Sequence, residues 1–216
     1  MEGLLGRKVG MTRVFDDLGN AIPVTVLEAG PCTVIQVKTN KKEGYEAVQL
    51  GFMEKKPAKT TNPLRGHFQK AGVPPKTVLC EFRMKDVSDV DIGTEVKVDL
   101  FSPKEKADVT ATTKGKGFTG VVKAYGFRGG SRASHGGSSY KRAPGSVGQS
   151  ANPSRVFKGK RLPRRIGGKR KTVLNLEIVQ VIPERNLLLV KGAVPGPNGG
   201  IVIVRKSKRF ARSAAS

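Results

Sequence analysis

The chain has 216 residues, enough for one sizeable core or one core plus an excursion and too few for a large multidomain enzyme. Forty Lys and Arg against seventeen Asp and Glu leave a formal charge of +23, a surplus that calls for a polyanionic partner. No stretch approaches the ~18 apolar residues of a membrane span, Met1-Glu2-Gly3-Leu4-Leu5 lacks a secretory pattern, and Cys32 and Cys80 stand outside any CxxC; the expectation is a soluble, non-secreted chain without membrane, disulfide framework or zinc.

In chain order, short runs rich in β-branched residues predict strands over Thr33–Val37, Ala47–Phe52, Val78–Phe82 and Glu95–Leu100. Between them, Glu54 to Lys76 carries Pro57, Asn62-Pro63 and Pro74-Pro75 and reads as an irregular crossing of the surface. From Val109 to Leu176 there is no Asp or Glu at all, yet this stretch holds sixteen Lys and Arg and thirteen Gly. Such a block buries too little apolar surface to fold alone and needs something outside it for order. Strands resume over Val173–Ile182, Leu187–Val190 and Ile201–Val204, joined by Pro183-Glu184-Arg185-Asn186 and Pro195-Gly196-Pro197-Asn198-Gly199-Gly200. The basic tail from Arg205 onward reads as fraying over 210–216.

Many short strands at this spacing predict a mainly β fold built on an antiparallel barrel. The expected organisation is one discontinuous barrel domain, 1–112 and 168–209, with 113–167 inserted as a long, largely irregular basic extension. A loop of this length counts against a compact domain unless it is functional or ordered by a partner, and its charge supplies that reason.

Gly115-Lys116-Gly117-Phe118-Thr119-Gly120 matches GxGxxG literally, but a dinucleotide site needs an acidic residue about twenty positions on, and the next one is Glu177. Kinase chemistry would need DFG and HRD aspartates, which do not occur. The same glycines let backbone amides approach phosphate, with Lys114, Lys116 and Lys123 adding charge and Phe118 offering a ring to a base. His67 and His135 have no second ligand at metal spacing; His135 reads as an RNA contact. Further along, Arg128, Arg132, Tyr140, Lys141, Arg142, Arg155, Lys158, Lys160, Arg161, Arg164, Arg165, Lys169, Arg170 and Lys171 alternate with Tyr125, Phe127 and Phe157. Guanidinium forks suit phosphate oxygens and rings suit unstacked bases. The competing class is an architectural protein of double-stranded DNA, which would share the charge and the glycines.

At the residue level the chain resembles the universal large-subunit ribosomal protein three family in its bacterial form. The family signature falls on Phe101, Asp108, Ala111, Thr113 and Gly115 to Gly120, and further family strings are Leu4 to Thr12, Ile22 to Val26, Pro144 to Gly148, Val156 to Lys160 and Glu184 to Gly192. Where the family pattern usually ends with Arg, this chain has Ala124 beside Lys123. The resemblance implies a translation-protein-like barrel and a non-enzymatic role in the large subunit, supporting its early assembly. It also implies a central extension reaching toward the peptidyl transferase centre, with its tip around Pro144 to Pro153. The implied partners are large-subunit rRNA and neighbouring ribosomal proteins, with no cofactor and no small-molecule substrate, in a cytoplasmic or organellar ribosome. Some bacterial members carry a methylated glutamine at the position matching Gln149.

Overall fold

Two strands unanticipated from the sequence frame the fold. In the computed structural model, which describes residues 3–84, 86–87, 90–130, 136–137 and 140–207, β1 (Gly3–Phe15) and β2 (Ala21–Ala29) form a long antiparallel hairpin. The glycines of β1 and Pro23 of β2 hide the hairpin from a propensity reading, yet Gly6 is needed for the pairing: a Cβ there would lie 2.5 Å from the Glu28 carbonyl oxygen. Asp16 shapes the turn, its Oδ1 accepting from the backbone amides of Leu18 at 3.1 Å and Asn20 at 2.7 Å.

The chain continues through β3 (Cys32–Lys38), a one-turn helix α1 (Asn40–Glu43), β4 (Ala47–Glu54), helix α2 (Asn62–Ala71), β5 (Lys76–Arg83) and β6 (Glu95–Val96). Then follow β7 (Lys106–Thr112), β8 (Phe118–Thr119), α3 (Val121–Tyr125), β9 (Arg164–Arg165), β10 (Arg170–Ile182), β11 (Leu187–Lys191) and β12 (Ile201–Lys206). Six of these strands close a barrel in the order β1-β12-β7-β10-β11-β2, every pairing antiparallel. The mainly β, barrel-based expectation is met.

Three expectations require correction. The strands expected at 33–37, 47–52 and 78–82 exist but stay out of the barrel, forming a separate sheet in the order β5-β4-β3-β6. The run expected as a strand over Glu95–Leu100 pairs only through Glu95 and Val96, and Val98–Leu100 winds into a 3-10 turn that buries Val98. The supposedly irregular 54–76 contains a 3-10 turn at Pro57–Lys59 and the ten-residue α2. Pro63 does not break that helix because it lies in its first turn, where a missing N–H costs nothing. The amide of Gly72 caps the other end on the Phe68 and Gln69 carbonyls.

The barrel and the second sheet share one apolar core. Leu4, Leu5, Leu27, Ile178, Leu188 and Val204 from the barrel belong to one buried cluster with Val34, Val48, Leu50 and Phe82 from the sheet. Val98 and Phe101 fill in from the 3-10 segment. At about 1.5–3 kcal/mol per fully buried Leu or Val, this cluster is the main source of stability. Cys32 joins it, donating its thiol to the Leu5 carbonyl oxygen at 3.3 Å, and burial pushes its pKa up to about 11. Cys80 is half-buried on β5, and burial raises its pKa as well. In the second sheet, Lys38 donates to Tyr45 at 2.8 Å and to Glu81 at 2.6 Å. The bond from Lys38 holds the Glu81 carboxyl below the usual carboxylate range.

The chain divides into two compact units, one comprising 1–112 and 170–216, the other Thr113–Lys169. The tail from 208 onward, including the segment expected to fray, lies outside the described residues.

Candidate nucleic-acid interface

The second unit begins where β7 and β10 end their pairing, Arg170 opposite Thr112. Its two legs are tied at once: the Thr113 amide donates to the Lys169 carbonyl at 2.9 Å and the Gly168 amide returns to the Thr113 carbonyl at 3.1 Å. Farther out, the Lys116 amide donates to Ile166 at 2.9 Å and the Ile166 amide to Gly117 at 3.0 Å. Gly167 makes this approach possible. It sits at φ +74°, and a Cβ there would overlap the Lys114 carbonyl oxygen.

Beyond the neck, β8 pairs with β9, setting Phe118 opposite Arg165 and Thr119 opposite Arg164. The Thr119 hydroxyl donates to the Arg164 carbonyl at 3.1 Å. Thr119 and Val121 are buried and form a small local anchor. The GxGxxG string therefore occupies one leg of a tied loop, with a two-residue strand inside it and a five-residue helix after it. That is not the strand, tight turn and long helix of a dinucleotide site. Among the described residues, no group of three His, Cys, Asp or Glu is placed to hold a metal.

Charge and exposure coincide over the unit. Lys114, Lys116, Lys123, Arg128, Lys141, Arg142, Arg155, Lys158, Lys160, Arg161, Arg164, Arg165 and Lys169 are all exposed. Arg170 and Lys171 are exposed too, but they belong to barrel strand β10. Arg132 and His135 lie outside the described residues. Because the sequence has no carboxylate between Val109 and Leu176, no cation of this unit has an acidic partner within it. The Arg7–Glu28, Lys38–Glu81 and Lys191–Glu177 pairs belong to the barrel unit.

Rings are distributed between two uses. Phe118, Tyr140 and Phe157 are 74, 67 and 51 % exposed, unusual for large apolar side chains and suited to stacking on bases. Tyr125, by contrast, is engaged within the unit, with the Arg164 guanidinium 4.8 Å and that of Arg161 6.0 Å from its ring centre. Arg155 lies over Phe157 at 5.6 Å. Phe127, Arg128, Gly129, Gly130, Tyr140 and Ala143 to Gly145 line a hollow of about 410 Å³. A second, of about 270 Å³, is walled by Val147 to Ser150 and Ser154 to Val156 and includes the exposed Gln149. Val147 and Val156, 43 and 49 % exposed, were missed from the sequence. Their signal was aliphatic residues standing in a stretch too polar to bury them.

A family model described as ribosomal protein L3 matches residues 81–186. The large ribosomal subunit protein uL3 of Pelotomaculum thermopropionicum is 52 % identical over 208 residues, covering 96 % of this chain and 98 % of that protein. The protein of the same name from Acidothermus cellulolyticus is 51 % identical over 209 residues, covering 97 % and 94 %. With a barrel, an acid-free insertion and this identity along almost its whole length, the chain belongs to the ribosomal protein L3 family.

Proposed function

We propose that the chain is a structural, non-enzymatic constituent of the large ribosomal subunit that grips rRNA mainly through Thr113–Lys169 and supports early assembly of the subunit. The observation that carries this reading is that every described cation of Thr113–Lys169 is exposed and none has a carboxylate in its own unit. An isolated surface of that kind repels itself, and RNA phosphates relieve the repulsion while releasing counterions.

In this reading the roles divide by chemistry. Lys114, Lys116, Lys123 and the arginines of β9 neutralise phosphates, while Phe118, Tyr140 and Phe157 stack on unpaired bases. Lys141, Arg142, Arg155, Lys158, Lys160 and Lys169 extend the phosphate track, and Arg170 and Lys171 on β10 contact phosphate as well. Arg132 and His135 are assigned to the same track from sequence alone. The family resemblance points the far part of the extension, including Gln149 as a methylation candidate, toward the peptidyl transferase centre. In the same reading the protein works within a cytoplasmic or organellar ribosome.

Co-sedimentation with large subunits after a high-salt wash tests the reading. Salt strips surface-adsorbed basic proteins but leaves one whose extension is enclosed by folded RNA, so the chain is expected in the subunit pellet. Its release into the supernatant, or competition by duplex DNA as effective as that by large-subunit RNA, overturns the assignment.

A further inference from the structure

The distal half of the β1–β2 hairpin differs in character from the basic insertion. Strand β12 pairs with β1 only from Gly3 to Arg7, and the turn before it closes on Lys8 through Gly199 and Gly200. From Val9 onward, β1 is paired on one side only among the described residues. Register places Arg13 opposite Pro23 and Phe15 opposite Ala21, and directly opposed residues share a face. Met11, two residues before Arg13, falls on the same side of β1. Met11 and Phe15 are 54 and 61 % exposed, and Leu18 in the turn is 86 % exposed. Ala21 and Pro23 are exposed as well.

An apolar strip on an unpaired strand is a liability unless something covers it. The local charge says what kind of partner does. Between Val9 and Pro23 the only cation is Arg13, whose guanidinium lies 5.9 Å over the Phe15 ring, against Asp16 and Asp17. Hydrogen bonds from the Asn20 side chain and backbone hold the Asp16 carboxyl below its ordinary range, so it stays charged. In a chain of +23, this apolar, net-acidic tip repels phosphate. It also lacks the counter-surface to pair with a second copy of itself, whose tip carries the same sign.

We propose that the Val9–Pro23 arm is a protein-docking surface, taking a neighbouring protein that presents an apolar strip bordered by Lys or Arg. The proposal rests on placement of the chain in the large subunit. Basic side chains of the partner meet Asp16 and Asp17, and its apolar side chains cover Met11, Phe15 and Leu18.

The test replaces Phe15 with the photo-crosslinker benzoylphenylalanine in the full chain, with a second preparation carrying it at Phe118, and irradiates purified large subunits containing each. The Phe15 probe is expected to give an adduct that protease degrades and ribonuclease does not, joining this chain to a different protein. Asp17→Lys should lower its yield roughly threefold. An RNA adduct, a dimer of the chain, or no adduct from Phe15 overturns the proposal when the Phe118 probe crosslinks RNA. Loss of both adducts together with failure to co-sediment removes the large-subunit reading itself.

Discussion

The guanidinium of Arg164 lies 4.8 Å over the ring of Tyr125, joining the returning leg of the extension to the end of the short helix on its outgoing leg. In a segment without carboxylates, the electron-rich face of a ring is what can hold an arginine in place before RNA arrives. Stacking occupies the flat face of the guanidinium and leaves its N–H edge for phosphate.

Tyr125→Leu should therefore weaken binding of large-subunit RNA by roughly three- to tenfold, the worth of a cation–π contact, without changing the number of counterions released. Arg164→Ala should lower the slope of log affinity against log salt by about one. The double variant should lose less than the sum, since each change already disables the same contact. Filter binding across a salt series separates the three outcomes.

Gly167→Ala should untie the neck. Positive φ costs a non-glycine residue about 1–2 kcal/mol, and the new methyl meets the Lys114 carbonyl. Faster hydrogen exchange at the Lys116 and Ile166 amides is expected, with weaker RNA binding. The thermal transition of the barrel should stay where it was.

Leu50→Ala in the second sheet and Leu188→Ala in the barrel should each cost about 2–5 kcal/mol. Because both residues belong to one buried cluster, each variant should show a single denaturant transition, detected identically by far-ultraviolet and near-ultraviolet dichroism. Two resolved transitions would mean that barrel and sheet unfold separately.

Burial holds the Cys32 thiol at about 11, above its usual value of 9.0. Between these values the unfolded chain gives up its proton first, so the unfolded state gains and stability falls as pH rises. Below pH 9 the contribution is fully present. Wild type should lose stability faster than Cys32→Ala over this window, by at most about 1.4 kcal/mol per pH unit, in urea titrations at stepped pH. Equal slopes for the two proteins would show that the thiol is not desolvated.

How much of this was readable beforehand varies with the kind of signal. Thr33–Val37, Ala47–Phe52 and Val78–Phe82 announced their strands because β-branched, aliphatic and aromatic residues concentrate there with partial alternation between turn residues. β1 and β2 stayed hidden because Gly3, Gly6, Gly10 and Pro23 lower local propensity, and the advantage of Gly3 and Gly6 appears only when a neighbouring strand is in place. β7 was missed for a related reason: Lys106–Thr112 is mostly Ala, Thr and charged residues, and its burial comes from having β10 and β12 on either side. Asn62-Pro63 looked like a break, whereas it begins α2.

For the candidate interface, exposure of the cations followed from composition, since a run of like charges has nowhere to be buried. The engagement of Tyr125 by Arg161 and Arg164 did not follow, because it depends on which residues of the two legs face each other. The hollow beside Tyr140 has the same origin.

The pairing of Thr112 with Arg170 has a wider consequence. Seen from the scaffold, everything between those two residues is an overgrown hairpin turn between adjacent rungs. Closure entropy rises only logarithmically with length, by about 0.6 kcal/mol per doubling. The frame therefore tolerates a longer, shorter or recomposed probe at little cost to its own register.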